Sequence, residues 1–155
     1  MLGLDVFTIS PELDKKSILE LTDLNKNILD SELIVYGKTP LMNLNYCLLG
    51  RSNKCYPNCE ARCNSGIGSY KNKFYLKDRL GLKFEIIPDN IQTVTTIYNS
   101  KITSISTNNF CHTNIARIDI IDENIEEINN IINIVKSGNR FEGKDYTNGN
   151  LNKEI

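Results

Sequence analysis

The chain has no tryptophan and a single histidine, His112, among its 155 residues. Neither G-x-S-x-G nor H-E-x-x-H occurs, so the elbow of the α/β hydrolases and the zinc-binding helix of the common metalloproteases are missing. No apolar run approaches the roughly 20 residues that span a bilayer. The opening stretch, MLGLDVFTISPEL, carries Asp5 and lacks the basic segment and long apolar run of a secretory signal. An excess of one charge is missing too. Lys and Arg number 18 against 19 Asp and Glu, a formal net charge of −1. Bulk charge therefore makes no electrostatic case for nucleic acid or for an anionic membrane. A cytoplasmic, reducing setting with no membrane partner is the expectation, and the length suits one ordinary core.

What the chain does have is five cysteines. Cys47, Cys55, Cys59 and Cys63 are spaced C-x7-C-x3-C-x3-C, and Cys111 lies far downstream. In a reducing compartment such a group favours metal binding or redox chemistry over structural disulfides, and an odd total would leave one thiol unpaired. Four thiolates suit zinc or an iron–sulfur cluster. The spacing is neither the paired C-x2-C of zinc ribbons nor the C-x3-C-x2-C of radical enzymes. Cys111 alone reads as a small buried hydrophobe, and a Cys–His dyad with the adjacent His112 has no support in spacing.

Hydrophobic patterning gives the organisation. Leu4–Ile9 reads as a strand, and Ser10-Pro11-Glu12 as the capped start of a helix that ends near Asn25 to Asn27. Leu33–Tyr36 is a short apolar strand that runs into a turn at Pro40. Strand, helix, strand is a βαβ unit and implies a parallel sheet. Residues 48–72 read as an irregular loop. Phe74–Lys77 and Lys83–Ile87 flank the turn Asp78-Arg79-Leu80-Gly81 as a hairpin, ended by Pro88. Thr95–Tyr98 is a further strand, whereas 101–114 has weak propensity. Ile115–Ile121 reads as a buried strand, with Arg117 and Asp119 on one face. Asp122-Glu123 then opens a helix closed by Lys136 and Gly138. The polar residues 139–155 are expected to extend along the surface or fray. A closed (β/α) barrel takes eight strands and about 250 residues, so these pieces read as the carboxy-terminal part of a larger α/β enzyme. A self-contained small α+β domain is the alternative.

Eight runs carry a family resemblance. They are TISPEL (8–13), ELIVYGKTPLM (32–42), Tyr46-Cys47, the C-x3-C of Cys55 and Cys59, YLKDRLGLKF (75–84), TIYNSK (96–101), ARIDIIDE (116–123) and YTNG (146–149). In this order they resemble the carboxy-terminal half of the collagenase-like peptidase family, peptidase family U-32, over essentially the whole chain.

The resemblance implies an α/β fold, the carboxy-terminal part of a TIM-barrel-like fold with a small β-rich insertion. Residues 1–47 would be a βαβ part of the barrel, and 48–114 the Cys-rich loop and hairpin region. Residues 115–138 would be the last strand and helix, and 139–155 a polar tail. It implies a protease of unassigned catalytic type, or an iron–sulfur protein like the members that act in RNA or quinone hydroxylation. An inactive remnant or a non-enzymatic metal-binding or interaction module is the alternative.

Cys47, Cys55 and Cys59 match three family cysteines. The fourth family position holds Thr93, and Cys63 is the local stand-in. The expected cofactor is a four-iron, four-sulfur cluster, with zinc as the alternative, or none if the site is degenerate. Lys38, Arg79, Arg117 and Glu123, all within matched runs, are the substrate-binding candidates. Lys38 stands where the family usually has arginine, which loses the bidentate fork. The implied partners are a peptide, protein or RNA substrate, with a missing amino-terminal half or self-association; a truncated member is the expectation.

Overall fold

The computed structural model describes residues 3–52, 54, 55, 59, 73–89, 91–110 and 112–152. Seven strands and three α-helices are found among the described residues: β1 Val6–Thr8, α1 Lys15–Asn25, β2 Asp30–Leu44, α2 Leu48–Ser52, β3 Phe74–Lys77, β4 Lys83–Asp89, β5 Val94–Ser104, β6 Ile115–Ile118, α3 Ile125–Lys136 and β7 Tyr146–Thr147. Hydrogen bonding orders the strands β1-β2-β5-β4-β3, with β6 also on β2 and β7 also on β5. The fold class is therefore mixed α/β. Two compact units are formed, one by Met1–Lys38 with Lys101–Ile155, the other by Thr39–Ser100.

In the first unit, β1 and β6 both pair with β2 in parallel, the arrangement expected of a βαβ segment. The helix α1 begins later than Ser10 predicts. Its cap is Asp14, whose carboxylate accepts the Ser17 N–H at 2.7 Å, a carboxylate at the positive end of the helix dipole. Ser10 instead closes a turn, accepting the Leu13 N–H on its carbonyl and the Glu12 N–H on its hydroxyl.

The core gathers Ile9 from the end of β1, Ile18 from α1, Leu33 and Val35 from β2, and Ile105 and Phe110 beyond β5. Each such side chain contributes about 1.5–3 kcal/mol on burial. Period-two burial along β2 holds through Ser31, Leu33 and Val35 and then fails, because Tyr36 and Gly37 are buried as well. A register shift of β2 against β6 between Ile34 and Tyr36 is the cause, a bulge that puts an extra residue into one strand.

At α3 the cap is Asn124, one residue past the expected start. Its side chain accepts the Glu127 N–H at 3.0 Å, while the Glu127 carboxylate accepts the Asn124 N–H at 2.7 Å. This is a complete capping box. The helix closes at Lys136, with Gly138 at φ +78° beyond it. One expectation fails in this unit. β6 is shorter than Ile115–Ile121 and mostly exposed, because among the described residues it pairs with β2 alone and carries Arg117 on its surface. Of the two forms expected for the tail, fraying is not what residues 141–147 show: Tyr146 and Thr147 pair in parallel with Ile102 and Thr103, and the Phe141 N–H donates to the buried Ser104 hydroxyl at 2.8 Å.

In the second unit the hairpin forms as read, with Leu76 opposite Phe84 and Lys77 opposite Lys83. Its turn is not held by an Asp78–Arg79 ion pair. Asp78 accepts the N–H groups of Leu80 and Leu82 on one carboxylate oxygen, both at 2.8 Å, an Asx-type closure. Neither Pro40 nor Pro88 ends its strand: β2 continues to Leu44 and β4 to Asp89. The long β5 also covers Lys101–Ser104, where propensity is weak, because Thr103 and Ser104 are buried and paired there. Between Cys47 and Cys55 the expected loop contains the short helix α2.

Candidate functional site at the strand carboxyl ends

In parallel α/β segments ligands collect beyond the carboxyl ends of the strands. Here the parallel pairing ends at Tyr36-Gly37-Lys38, inside the longer β2, and at Asp119 after β6. The Asp119 N–H donates to the Tyr36 carbonyl at 2.9 Å. Gly37 has φ +138°, and a Cβ there would lie 2.7 Å from both the Cβ and the carbonyl oxygen of Asp119. Only glycine permits that approach.

Tyr36 is 3 % exposed, and its hydroxyl donates to the Glu123 carboxylate. Burial first, then the charge of Glu123, pushes the phenol well above its ordinary value of 10.0. It is a neutral hydrogen-bond donor at any physiological pH. Glu123 also accepts the N–H groups of Ile121 and Asp122 at 2.9 and 3.1 Å. It thus serves as an acceptor hub that anchors the approach to α3.

An aromatic row continues from Tyr36. Phe141 lies 5.6 Å from Tyr36 at a tilt of 59°, and Tyr146 stacks on Phe141 at 5.2 Å and 15°. Beside it is a cavity of about 350 Å³ bordered by Ser104, Phe141, Glu142, Tyr146 and Asn148.

Across the three parallel strands runs a charged row. Arg117 Nε donates to Asp119 at 2.6 Å, Arg117 Nη1 donates to Glu32 at 3.3 Å, and the Thr8 hydroxyl donates to the same Glu32 oxygen at 2.8 Å. Asp119, followed by Glu32, holds the Arg117 guanidinium even more firmly protonated than usual. The shared face of Arg117 and Asp119, read from alternation, is therefore real, and the two residues pair.

Of the substrate-binding candidates, Lys38, Arg117 and Glu123 belong to the first unit. Arg79 is exposed at the hairpin tip of the second. His112 is exposed, with Nε2 3.8 Å from Asp23. A hydrogen bond from Lys26 holds the Asp23 carboxyl below its usual value.

In the second unit Cys47 is half-buried, Cys55 buried and Cys59 exposed; Cys63 and Cys111 lie outside the described residues. Cys47 and Cys55 flank one compact turn: the Gly50 N–H donates to the Cys47 carbonyl at 3.1 Å and the Cys55 N–H to the Gly50 carbonyl at 2.8 Å. Thr95, fully buried, anchors that turn to β5. Its hydroxyl donates to the Tyr46 carbonyl at 2.9 Å and accepts the Leu48 N–H at 3.1 Å, bracketing Cys47. Thr93, two residues earlier, is exposed at φ +55°.

Thiolates are suitable donors for zinc or an iron–sulfur cluster. Among the described residues, however, no group of three or more His, Cys, Asp or Glu side chains is placed to hold a metal. The described donors alone do not fit such a group, and a four-thiolate set would need a cysteine outside the described residues, Cys63 or Cys111. No helix among the described residues is long and apolar enough to cross a membrane.

Sequence reading missed Tyr36, Thr95 and Phe141 as organising residues. An apolar strand conceals a buried tyrosine that faces a carboxylate. The signal available for the aromatic row was the run YTNG, which contains Tyr146.

Comparison with protein-family models, with curated proteins and with solved structures finds no match for the chain.

Proposed function

We propose that the chain corresponds to the carboxy-terminal half of a U-32, collagenase-like peptidase, with its parallel strands forming part of a TIM-barrel-like fold in a cytoplasmic protein. The observation that carries this reading is the meeting of two matched runs. ELIVYGKTPLM and ARIDIIDE come together at Gly37 and Asp119, and again where Tyr36 donates to Glu123. Residues that define a resemblance by sequence are then also those that build the strand carboxyl ends, where α/β enzymes hold their ligands. On this reading the activity is that of a protease, or of an iron–sulfur-dependent hydroxylation protein, acting on peptide, protein or RNA. Lys38 and Arg79 are the candidate positive charges for the substrate, while Arg117, paired with Asp119 and Glu32, would hold the strands beside it. Cys47, Cys55, Cys59 and Cys63 are the thiolates for a four-iron, four-sulfur cluster or for zinc.

A second reading is a non-enzymatic metal-binding or interaction module that keeps the cysteine loop, supported by the backbone hydrogen bonds that fix the turn between Cys47 and Cys55. Iron and acid-labile sulfide analysis after anaerobic preparation separates the two. About four of each per chain, with absorbance lost in Cys47→Ser, supports the cluster. Stoichiometric zinc without sulfide supports the module, and neither metal nor sulfide removes both cofactor assignments.

A further inference from the structure

The cavity beside the aromatic row is a built feature. At one side the Phe141 N–H is fixed to the Ser104 hydroxyl at 2.8 Å, and Ser104 is 3 % exposed. At the other, β7 is paired with β5 through Tyr146 and Thr147, and the Tyr146 N–H closes a turn onto the Gly143 carbonyl at 3.2 Å. Phe141 is held between the rings of Tyr36 and Tyr146. Walls tied at this many points are largely formed before any ligand arrives. The volume of about 350 Å³ falls at the small end of ligand sites, roughly 300–1,000 Å³.

Its chemistry narrows the occupant. The two opposite charges at its border neutralise one another: Arg140 donates from Nε at 3.1 Å and from Nη2 at 2.9 Å to the same oxygen of Glu142. That pairing leaves no net charge to select a phosphate, a carboxylate or an amine.

The remaining polar groups suit hydroxyls, which donate and accept at once. The Thr147 hydroxyl accepts the Gly149 N–H at 3.2 Å and so keeps its own proton to donate. The Asn148 amide and the second oxygen of Glu142 make no hydrogen bond among the described residues. The amide offers a donor beside an acceptor, and the carboxylate oxygen a further acceptor. Half-buried Tyr146 supplies an aromatic wall, on which the C–H face of a saturated ring can rest. A wholly apolar ligand would leave the Thr147 hydroxyl and the Asn148 amide without partners.

We propose that this cavity is a binding site for a neutral ring bearing adjacent hydroxyls, a sugar ring either free or as the ribose of a nucleoside. It goes beyond the family reading and does not depend on a metal or on peptidase chemistry.

The test is an amide-resolved NMR titration of the full chain with methyl glucoside and, separately, uridine, with inorganic phosphate as the charged control. Saturable shifts in the amides of residues 140–148, with a dissociation constant in the millimolar range or tighter, are expected for at least one ring and not for phosphate. Binding of the glucoside alone identifies a free sugar as the ligand source and binding of uridine alone a nucleoside, while equal binding of uracil, which lacks the hydroxyl-bearing ring, would overturn the proposal. Asn148→Ala and Thr147→Val, each checked for an unchanged amide spectrum elsewhere, should weaken binding about tenfold. Absence of saturable shifts with either ring at about 50 mM, far above the millimolar range of weak binding, would overturn the proposal in the wild-type protein alone. Equal binding of phosphate, or binding indifferent to both substitutions, would overturn it as well.

Discussion

Gly37 and Asp119 meet with no room for a side chain between them: an added Cβ would stand 2.7 Å from the Asp119 carbonyl oxygen. The backbone of Gly37, at φ +138°, is also one that other residues rarely adopt. Gly37→Ala should therefore destabilise the protein by about 2 kcal/mol or more, read as a lower urea midpoint. Gly50→Ala is the contrast. Its Cβ would find ordinary contact with Cys47 at 3.6 Å inside α2, so it should change stability by no more than about 1 kcal/mol.

Tyr36 makes stability sensitive to alkali. Its phenol is pushed up from 10.0 by burial and by Glu123, while in the unfolded chain it ionises near the ordinary value of about 10. Below that pH its contribution is fully present. As pH rises further the unfolded state sheds its proton first, so stability falls until the folded-state value is passed. Thermal unfolding between about pH 8 and pH 11 should lose stability more steeply in the wild type than in Tyr36→Phe. At neutral pH the same substitution should cost about 1–2 kcal/mol, the loss of a hydrogen bond to a charged acceptor.

Thr95 holds the backbone on both sides of Cys47 with one buried hydroxyl. Thr95→Val keeps the shape and removes both bonds, leaving a carbonyl and an N–H unsatisfied, at a cost of about 1–3 kcal/mol. Alkylation of Cys47, followed by peptide mapping, should become faster relative to that of exposed Cys59. Thr95→Ser should restore both measurements to near the wild-type level.

The reciprocal cap of α3 gives a smaller effect. Asn124→Ala removes the acceptor of the Glu127 N–H and should cost about 1 kcal/mol. Asn124→Ser, which keeps a capping oxygen, should recover most of it in the same denaturation experiment.

Where one local force dominates, sequence and structure agree. The helices α1 and α3 follow from apolar spacing and small polar caps, and the hairpin from two β-prone runs around a glycine turn. The parallel pairing of β1 and β2 follows from the helix between them. Reading fails where tertiary partners override propensity. Lys101–Ser104 is strand because buried Thr103 and Ser104 find partners, and the tail is ordered because Phe141 and Tyr146 complete an aromatic row. Alternation on β6 correctly placed Arg117 beside Asp119. No pattern within the chain announces that Gly37 touches Asp119 or that Thr95 brackets Cys47, since both contacts join segments far apart in sequence.

The bulge in β2 has a consequence for how the strand tolerates change. It is a phase shift between Ile34 and Tyr36, so the residues after it are read with parity opposite to those before it. Substitutions on either side can be weighed one at a time, but one residue inserted after Val35 would act on the whole downstream stretch together. Tyr36 would exchange its place with its neighbours, and the donor to Glu123 and the close approach at Gly37 would be lost in a single step. The stretch of β2 just after the bulge thus depends on chain length at one position as much as on the residues that stand there.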